Sequence, residues 1–379
     1  MRPARTSLLL LAAGSVVWIP VAAEAQRAGT LIAADPVVDT PPGTQAWRVR
    51  YASTDAGGRP TQLTGMVVAP REAMPREPRR VLAWTHGTSG VATRCAPSLS
   101  PEFFAATPGL EAAVRRGYVV VAPDYPGLGS AGVHPYLVGE DTARSVLDAV
   151  RSAQGIAGAA AGARFAVWGE SQGGHAALWT AQRVRNYSPD LTLVGAAAAA
   201  PPTDLAENLR SGSDPSIRAF LTAFTAYSWS RHYGAPLSTL GKRSTQGIIT
   251  RLAQNNCISL TAKPKLGTML GVAVLRRDLK NVDLGRIQPW AGFARRNSVP
   301  VRGFPTPLLI AQNPADKIVG PTVTREFARK TCRAGTRVQF VAIAGKGHET
   351  SARDSAEATL RWIDDRFAGQ VAPSDCGRI

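Results

Sequence analysis

From about residue 46 onward the chain alternates short apolar runs with helical stretches, and this rhythm constrains the fold more than any other feature. Gln45–Ala52 and Thr61–Ala69 read as early antiparallel strands joined through Gly57-Gly58. Arg80–Trp84, Tyr118–Ala122, Phe165–Trp168, Leu191–Ala198, Pro307–Ala311 and Arg337–Ile343 read as further short strands. Between them, a helix closes over Ala112–Arg116 and stops at Gly117, and Glu140–Ala153 sets Val146, Leu147 and Val150 on one face. Another helix follows Ser171, and the last runs through Ala356–Phe367. Such a pattern builds a mostly parallel sheet with both faces covered by helices. Ligands bind these sheets outside the carboxyl ends of the strands, so functional residues are expected directly after strands.

Residues 203–300 break the rhythm. They read as helical, contain no convincing strand, and form a connection far longer than usual. This stretch is expected to be a cap inserted between two parts of one core, 26–202 and 301–379. Phe220, Phe224, Tyr227, Trp229 and Tyr233 cluster in it, either as the cap's own core or as the wall of an apolar pocket. Residues 26–44 read as a poorly ordered lead-in, and 155–163 as a loop of small residues.

Residues 1–25 carry the features of an export signal. Arg2 and Arg5 precede an apolar stretch from Leu8 to Ala22, and Ala23-Glu24-Ala25 supplies small residues for cleavage. The stretch is short and broken by Gly14, Ser15 and Pro20, which argues against a membrane anchor. A secreted or periplasmic location follows. There, an even count of cysteines (Cys95, Cys257, Cys332 and Cys376) suggests two bridges, and spacing leaves all three pairings open. No CxxC pair or short Cys–His spacing suggests a metal. The net charge of +17 raises the question of nucleic acid. Export and the lack of a nucleic-acid-binding motif argue against that partner. A basic surface loosely associated with an anionic cell envelope fits better.

Gly169-Glu170-Ser171-Gln172-Gly173-Gly174 matches G-x-S-x-G, and it follows a strand and opens a helix, the context that pattern requires. Gly169 and Gly173 relieve the crowding of a tight elbow and leave Ser171 exposed at its apex as a nucleophile. A serine hydroxyl needs a base, and the base needs an orienting acid. In this context the chain order is Ser, then Asp or Glu, then His. Of the five histidines, His86 and His134 precede the serine, His175 follows it by one helical turn, and His232 falls in the proposed cap. His348, on the glycine-flanked loop after Arg337–Ile343, is therefore the candidate base. Asp316, on the loop after Pro307–Ala311, is the candidate acid, with Asp364 and Asp365 on the last helix as rivals. Two backbone N–H groups should hold the oxyanion. Gln172 is assigned one of them and Thr88 the other, with Ser89 second in the His86–Gly90 loop. His86 and His175 read as structural. Asp124-Tyr125-Pro126-Gly127 is expected to shape the pocket wall without taking part in chemistry.

As a set, Trp84-Thr85-His86-Gly87-Thr88, Cys95-Ala96-Pro97-Ser98, Asp124-Tyr125-Pro126-Gly127-Leu128-Gly129, Gly169–Gly174, Asp316 and His348 resemble the secretory lipase family, the lipase A-like branch of the α/β-hydrolases. The likeness spans about residues 35–376. It implies an α/β-hydrolase fold with a helical cap at the insertion, and hydrolysis of carboxylic esters or triacylglycerols without metal or organic cofactor. It also implies the pairings Cys95–Cys257, tying cap to core, and Cys332–Cys376. The expected activity is that of an exported serine carboxylester hydrolase acting through an acyl-enzyme. Its rivals are a peptidase, amidase or acyltransferase with the same triad, and a non-catalytic lipid-binding envelope protein.

Overall fold

The computed structural model describes residues 26–72, 74–211, 213–259, 263–345 and 347–379. The export signal expected over 1–25 lies outside them. Nine strands form one sheet: β1 (Leu31–Val37), β2 (Thr44–Thr54), β3 (Pro60–Pro70), β4 (Arg79–Thr85), β5 (Val119–Pro123), β6 (Ala161–Glu170), β7 (Thr192–Ala199), β8 (Leu308–Gln312) and β9 (Val338–Ala342). Their order is β1-β2-β3-β5-β4-β6-β7-β8-β9. The pairs β1–β2, β2–β3 and β3–β5 are antiparallel, and every pair from β5 on to β9 is parallel. β5 lies on one side of β4 and β6 on the other, so the order reverses there. A crevice opens at such a reversal, beyond the carboxyl ends of the strands.

The expected lead-in over 26–44 is corrected. Leu31–Val37 is an edge strand, with Val37 opposite Ala46 and Pro36 opposite Trp47. Its sequence carries Pro and Asp, which suit an edge and hide it from a pattern search. The loop expected over 155–163 is likewise shorter, because β6 already begins at Ala161.

Side chains alternate across the pleat and divide the core into two layers. Val81, Val121, Phe165, Val167, Ala196, Ala198 and Ile310 face one side, under α3 (Gly139–Ala153), α4 (Gln172–Tyr187) and α10 (Pro321–Arg333). Leu82, Trp84, Val120, Trp168, Ala197, Ala199 and Leu309 face the other, with α1 (Phe103–Ala106), α2 (Leu110–Arg115) and α11 (Ser351–Phe367). The alanines of β7 let α4 and α11 press closely on both faces; a Cβ at Gly195 would lie 2.7 Å from the Trp362 ring.

Between β7 and β8 lie α5 (Leu205–Ser211), α6 (Pro215–Tyr233), α7 (Arg243–Asn255), α8 (Leu266–Asp278) and α9 (Trp290–Asn297), in the region expected to form the cap. These helices share a separate core that includes Phe224, Trp229, Ile249, Leu252, Leu275 and Trp290. Phe224 and Trp229 are fully buried there, so they hold the helices together and line no pocket. α6 starts where the Asp214 side chain accepts the N–H groups of Ser216 and Ile217, and it stops at Gly234 in the left-handed region.

Cys95 is bonded to Cys257 and Cys332 to Cys376. The first bridge joins the segment after β4 to the segment after α7, across 162 residues of sequence. Beside it, Gly90 pairs with Cys257 as an isolated β-bridge, and Ile258 N–H donates to Ser89 O at 2.8 Å. A bridge closing so long a loop restricts the unfolded chain strongly. Replacing both Cys95 and Cys257 by serine is expected to lower unfolding stability by about 2–4 kcal/mol, measured by denaturant titration without reductant. Equal stability of the variant would contradict this.

Candidate active site

β6 runs into the turn at Gly169-Glu170-Ser171, and α4 starts at once with Gln172. Ser171 has φ 54° and ψ −120°, a backbone conformation that side-chain-bearing residues avoid. The turn persists because β4 packs against it. A Cβ at Gly169 would lie 2.0 Å from Thr85 Oγ1 and 2.3 Å from Gly173 O. One at Gly173 would lie 1.8 Å from Thr85 O. The fully buried Thr85 hydroxyl sits 2.8 Å from Gly173 O and 3.1 Å from Trp168 O, tying both sides of the elbow to β4.

Two loops from the sheet's carboxyl edge complete the arrangement. His348 opens a single 3₁₀ turn, His348–Thr350, after β9. Its Nε2 lies 2.8 Å from Ser171 Oγ, and its Nδ1 lies 2.8 Å from Asp316 Oδ2. Asp316 follows β8. Its Oδ1 accepts the N–H groups of Ile318 at 2.8 Å and Val319 at 2.9 Å, while Gln312 Nε2 donates to Oδ2 at 3.0 Å. His348 and Asp316 are both buried. Burial alone would push the Asp316 carboxyl up. The His348 hydrogen bond and charge, with the Val319 and Ile318 N–H donors, outweigh it and leave Asp316 below its ordinary value. An ionised Asp316 takes the Nδ1 proton of His348 as its hydrogen-bond donor. That tautomer leaves the Nε2 lone pair to accept the Ser171 hydroxyl proton.

Asp364, His175 and His86 are engaged elsewhere. Asp364 accepts hydrogen bonds from Arg80 at 3.1 Å, Arg116 at 3.2 Å and Tyr118 at 2.6 Å. His175 donates from Nε2 to Asn297 O at 2.7 Å, and burial takes its pKa down to about 4. His86 is stacked on Tyr125 at 4.1 Å with Nδ1 2.7 Å from Gly87 O, and burial brings it to about 4 as well. The expectation that Asp124–Gly127 forms a pocket wall is corrected. Asp124 is buried and accepts from Ser98 Oγ at 2.5 Å and Thr64 Oγ1 at 2.7 Å. Tyr125, also buried, donates to His86 O at 2.8 Å. The motif braces the loop after β4 from below, because a carboxylate with that many donors is a strut.

Gln172 begins α4, and its N–H is among those a helix start leaves without an intrahelical partner. The loop after β4 crosses close by, since a Cβ on Gly87 would sit 3.5 Å from Glu170 O and 4.0 Å from Ser171 Cβ. Next to it, Thr88 Oγ1 lies 2.9 Å from Tyr136 OH. Three supporting residues escaped the sequence reading. His134 Nε2 accepts from Gln172 Nε2 at 2.7 Å while its Nδ1 donates to Pro126 O at 2.9 Å; burial holds it neutral, near 3. Ser228 on α6 donates to His134 O at 2.7 Å and accepts from Tyr136 N–H at 2.8 Å. The segment 134–136 thus links α6 to both Gln172 and Thr88. No spacing rule marks it, because its partners are brought together only by the fold.

A family model described as Secretory lipase matches residues 105–262 and 280–375. The chain belongs to that family. The chain is 25% identical over 359 residues to Lipase 5 of Candida albicans, covering 88% of this chain and 74% of that protein. It is equally 25% identical over 356 residues to a probable inactive lipase of Mycobacterium tuberculosis, covering 87% and 75%. In fold it resembles the closed state of Candida antarctica lipase A, with TM-score 0.74, 20% identity, and 93% and 85% of the two chains covered. It also resembles the rice cell wall degrading esterase LipA of Xanthomonas oryzae, with TM-score 0.71, 19% identity, and 91% and 100% covered. The fold is that of an α/β-hydrolase.

The Asp316 shift carries a sign. A carboxyl lowered on folding adds stability that is present above its unfolded value, about 4, and is lost as pH falls through its lower folded value. Asp316→Asn removes that dependence. Its melting temperature should therefore fall less than that of wild type between pH 5 and pH 3; parallel curves would show that Asp316 carries no such shift.

Proposed function

We propose that this chain is an exported serine carboxylester hydrolase in which Ser171, His348 and Asp316 act as nucleophile, base and orienting acid. The observation that carries the reading is the continuous hydrogen-bonded chain Asp316–His348–Ser171 at 2.8 Å per link, with the serine on a strained elbow at a helix start. His348 Nε2 takes the Ser171 proton as Oγ attacks the ester carbonyl carbon. Asp316 stabilises the imidazolium so formed. The Gln172 and Thr88 N–H groups hold the oxyanion. His348 then gives its proton to the leaving alcohol, and an acyl-enzyme remains. Water, deprotonated by the same imidazole, attacks the acyl carbon and frees the acid and Ser171. Residues 1–25 serve export, and the two disulfides suit an oxidising compartment.

Hydrolysis of p-nitrophenyl esters from acetyl to palmitoyl tests this reading. Ser171→Ala should reduce kcat by about 10⁴-fold or more. Full activity in that variant, or no turnover by wild type on any ester, would sink it.

The outer face of α8 supports association with an anionic lipid surface. Leu275 points inward and is fully buried, while Leu266, Met269 and Leu270 are 68%, 51% and 60% exposed. Spaced at i, i+3 and i+4, these three lie on one face. Lys263 and Lys265 precede the helix, and Arg276 and Arg277 end it, all exposed. An apolar stripe rimmed by cations matches headgroups of opposite charge above an acyl layer. The double variant Leu266→Glu, Leu270→Glu should lose co-sedimentation with vesicles containing anionic lipid and keep activity on p-nitrophenyl acetate. Unchanged co-sedimentation would rule this face out.

A further inference from the structure

Glu170 sits between Gly169 and the nucleophile, and the mechanism above gives it no task. Its side chain is half-buried and turned toward the segment that carries His348. Oε1 accepts the N–H of Ala352 at 2.8 Å, across 182 residues of sequence. Ala352 is the second residue of α11, and α11 begins directly after the turn His348–Thr350. The first N–H groups of a helix lack intrahelical partners, and the residue at the cap position, Thr350, makes no side-chain capping bond here. Glu170 therefore does from another strand what a capping carboxylate does locally, and it places negative charge at the positive end of the helix. In doing so it joins the elbow of Ser171 to the base of the His348 turn.

We propose that Glu170 is a positioning residue for His348, holding its turn against the nucleophile elbow and setting a second negative charge beside the imidazolium formed in each turnover. The inference rests on the roles given to Ser171, His348 and Asp316 above.

The charged groups around Glu170 are His348, Asp316 after β8, and Asp354 on α11, itself paired with Arg353 at 3.3 Å. The loop after β4 approaches with Gly87, which brings no charge. Burial pushes the Glu170 carboxyl up to about 7, and Asp316 and Asp354 add to that. The Ala352 N–H and the His348 charge oppose it. Its ionised form is thus favoured whenever His348 is protonated, the state that develops as Ser171 attacks. Above pH 7 the carboxylate is mostly charged and available for this task.

Glu170→Gln isolates the charge, because the amide oxygen can still accept the Ala352 N–H. Glu170→Ala removes both. In Glu170→Gln, kcat should fall on the order of tenfold at pH 8 with KM unchanged, and labelling of Ser171 by a fluorophosphonate should slow alike. The acid limb of kcat/KM should move to lower pH, since losing a nearby negative charge disfavours the imidazolium. Glu170→Ala should show the same limb shift with a further drop in kcat and a lower melting temperature. A Glu170→Gln enzyme with wild-type kcat and an unmoved limb would reduce Glu170 to a helix cap and overturn the proposal. Should wild type label at Ser171 yet hydrolyse no ester, the ester reading fails alone, and the labelling rates of the two variants decide this one. A wild-type Ser171 that does not label overturns both.

Discussion

The geometry of the candidate site depends on the contact between the end of β4 and the elbow at Ser171. Thr85 O and Thr85 Oγ1 occupy the space where a Cβ on Gly173 or Gly169 would stand. The contact forces two glycines and a left-handed serine, and the elbow is held on both sides by the Thr85 hydroxyl. Strain of this kind, of order 1–3 kcal/mol per residue, survives only where the surroundings over-determine it. Here the surroundings are the adjacent parallel strands β4 and β6 at the point where the sheet order reverses. The loop carrying Gly87 and Thr88 follows β4, and Ser171 follows β6. One register therefore sets how closely the Gly87–Thr88 loop approaches the Ser171 elbow.

A second level of support runs from the cap into that register. Ser228 on α6 holds the backbone of His134 and Tyr136, and those residues reach Gln172 and Thr88. The segment 256–258 holds the other side of the same loop through Ser89 and the Cys95–Cys257 bridge. The helices between β7 and β8 are thus mechanically tied to the loop beside Ser171. Such coupling explains how helices with a core of their own are held in register with the elbow.

Electrostatics separates the histidines by role. His86, His134 and His175 are buried with one ring N–H given to a backbone carbonyl, and burial keeps them neutral. They act as wedges with a polar tip. His348 alone faces an ionised carboxylate through one nitrogen and a hydroxyl through the other. That asymmetry gives His348 alone a nitrogen free to accept from a serine hydroxyl, and it arises from what each ring faces across the fold.

Periodicity and punctuation in the sequence determined the alternating core, the strand-free stretch between β7 and β8, the elbow at Ser171, and Asp316 and His348 on the loops after β8 and β9. These are local statements: an apolar run sets a buried strand, and glycine marks a place where a Cβ does not fit. The edge strand Leu31–Val37 was illegible because a half-exposed edge needs no apolar alternation, and its pairing with β2 is a long-range choice. Asp124-Tyr125 follows a strand like the active loops do, and only its burial beneath His86 marks it as a brace. His134, Tyr136, Ser228 and Glu170 belong to the site through hydrogen bonds spanning up to 182 residues. No local pattern encodes such partners. Tertiary structure decided them, because a polar side chain finds its function in whichever unpaired donor or acceptor the packed sheet and cap bring to it.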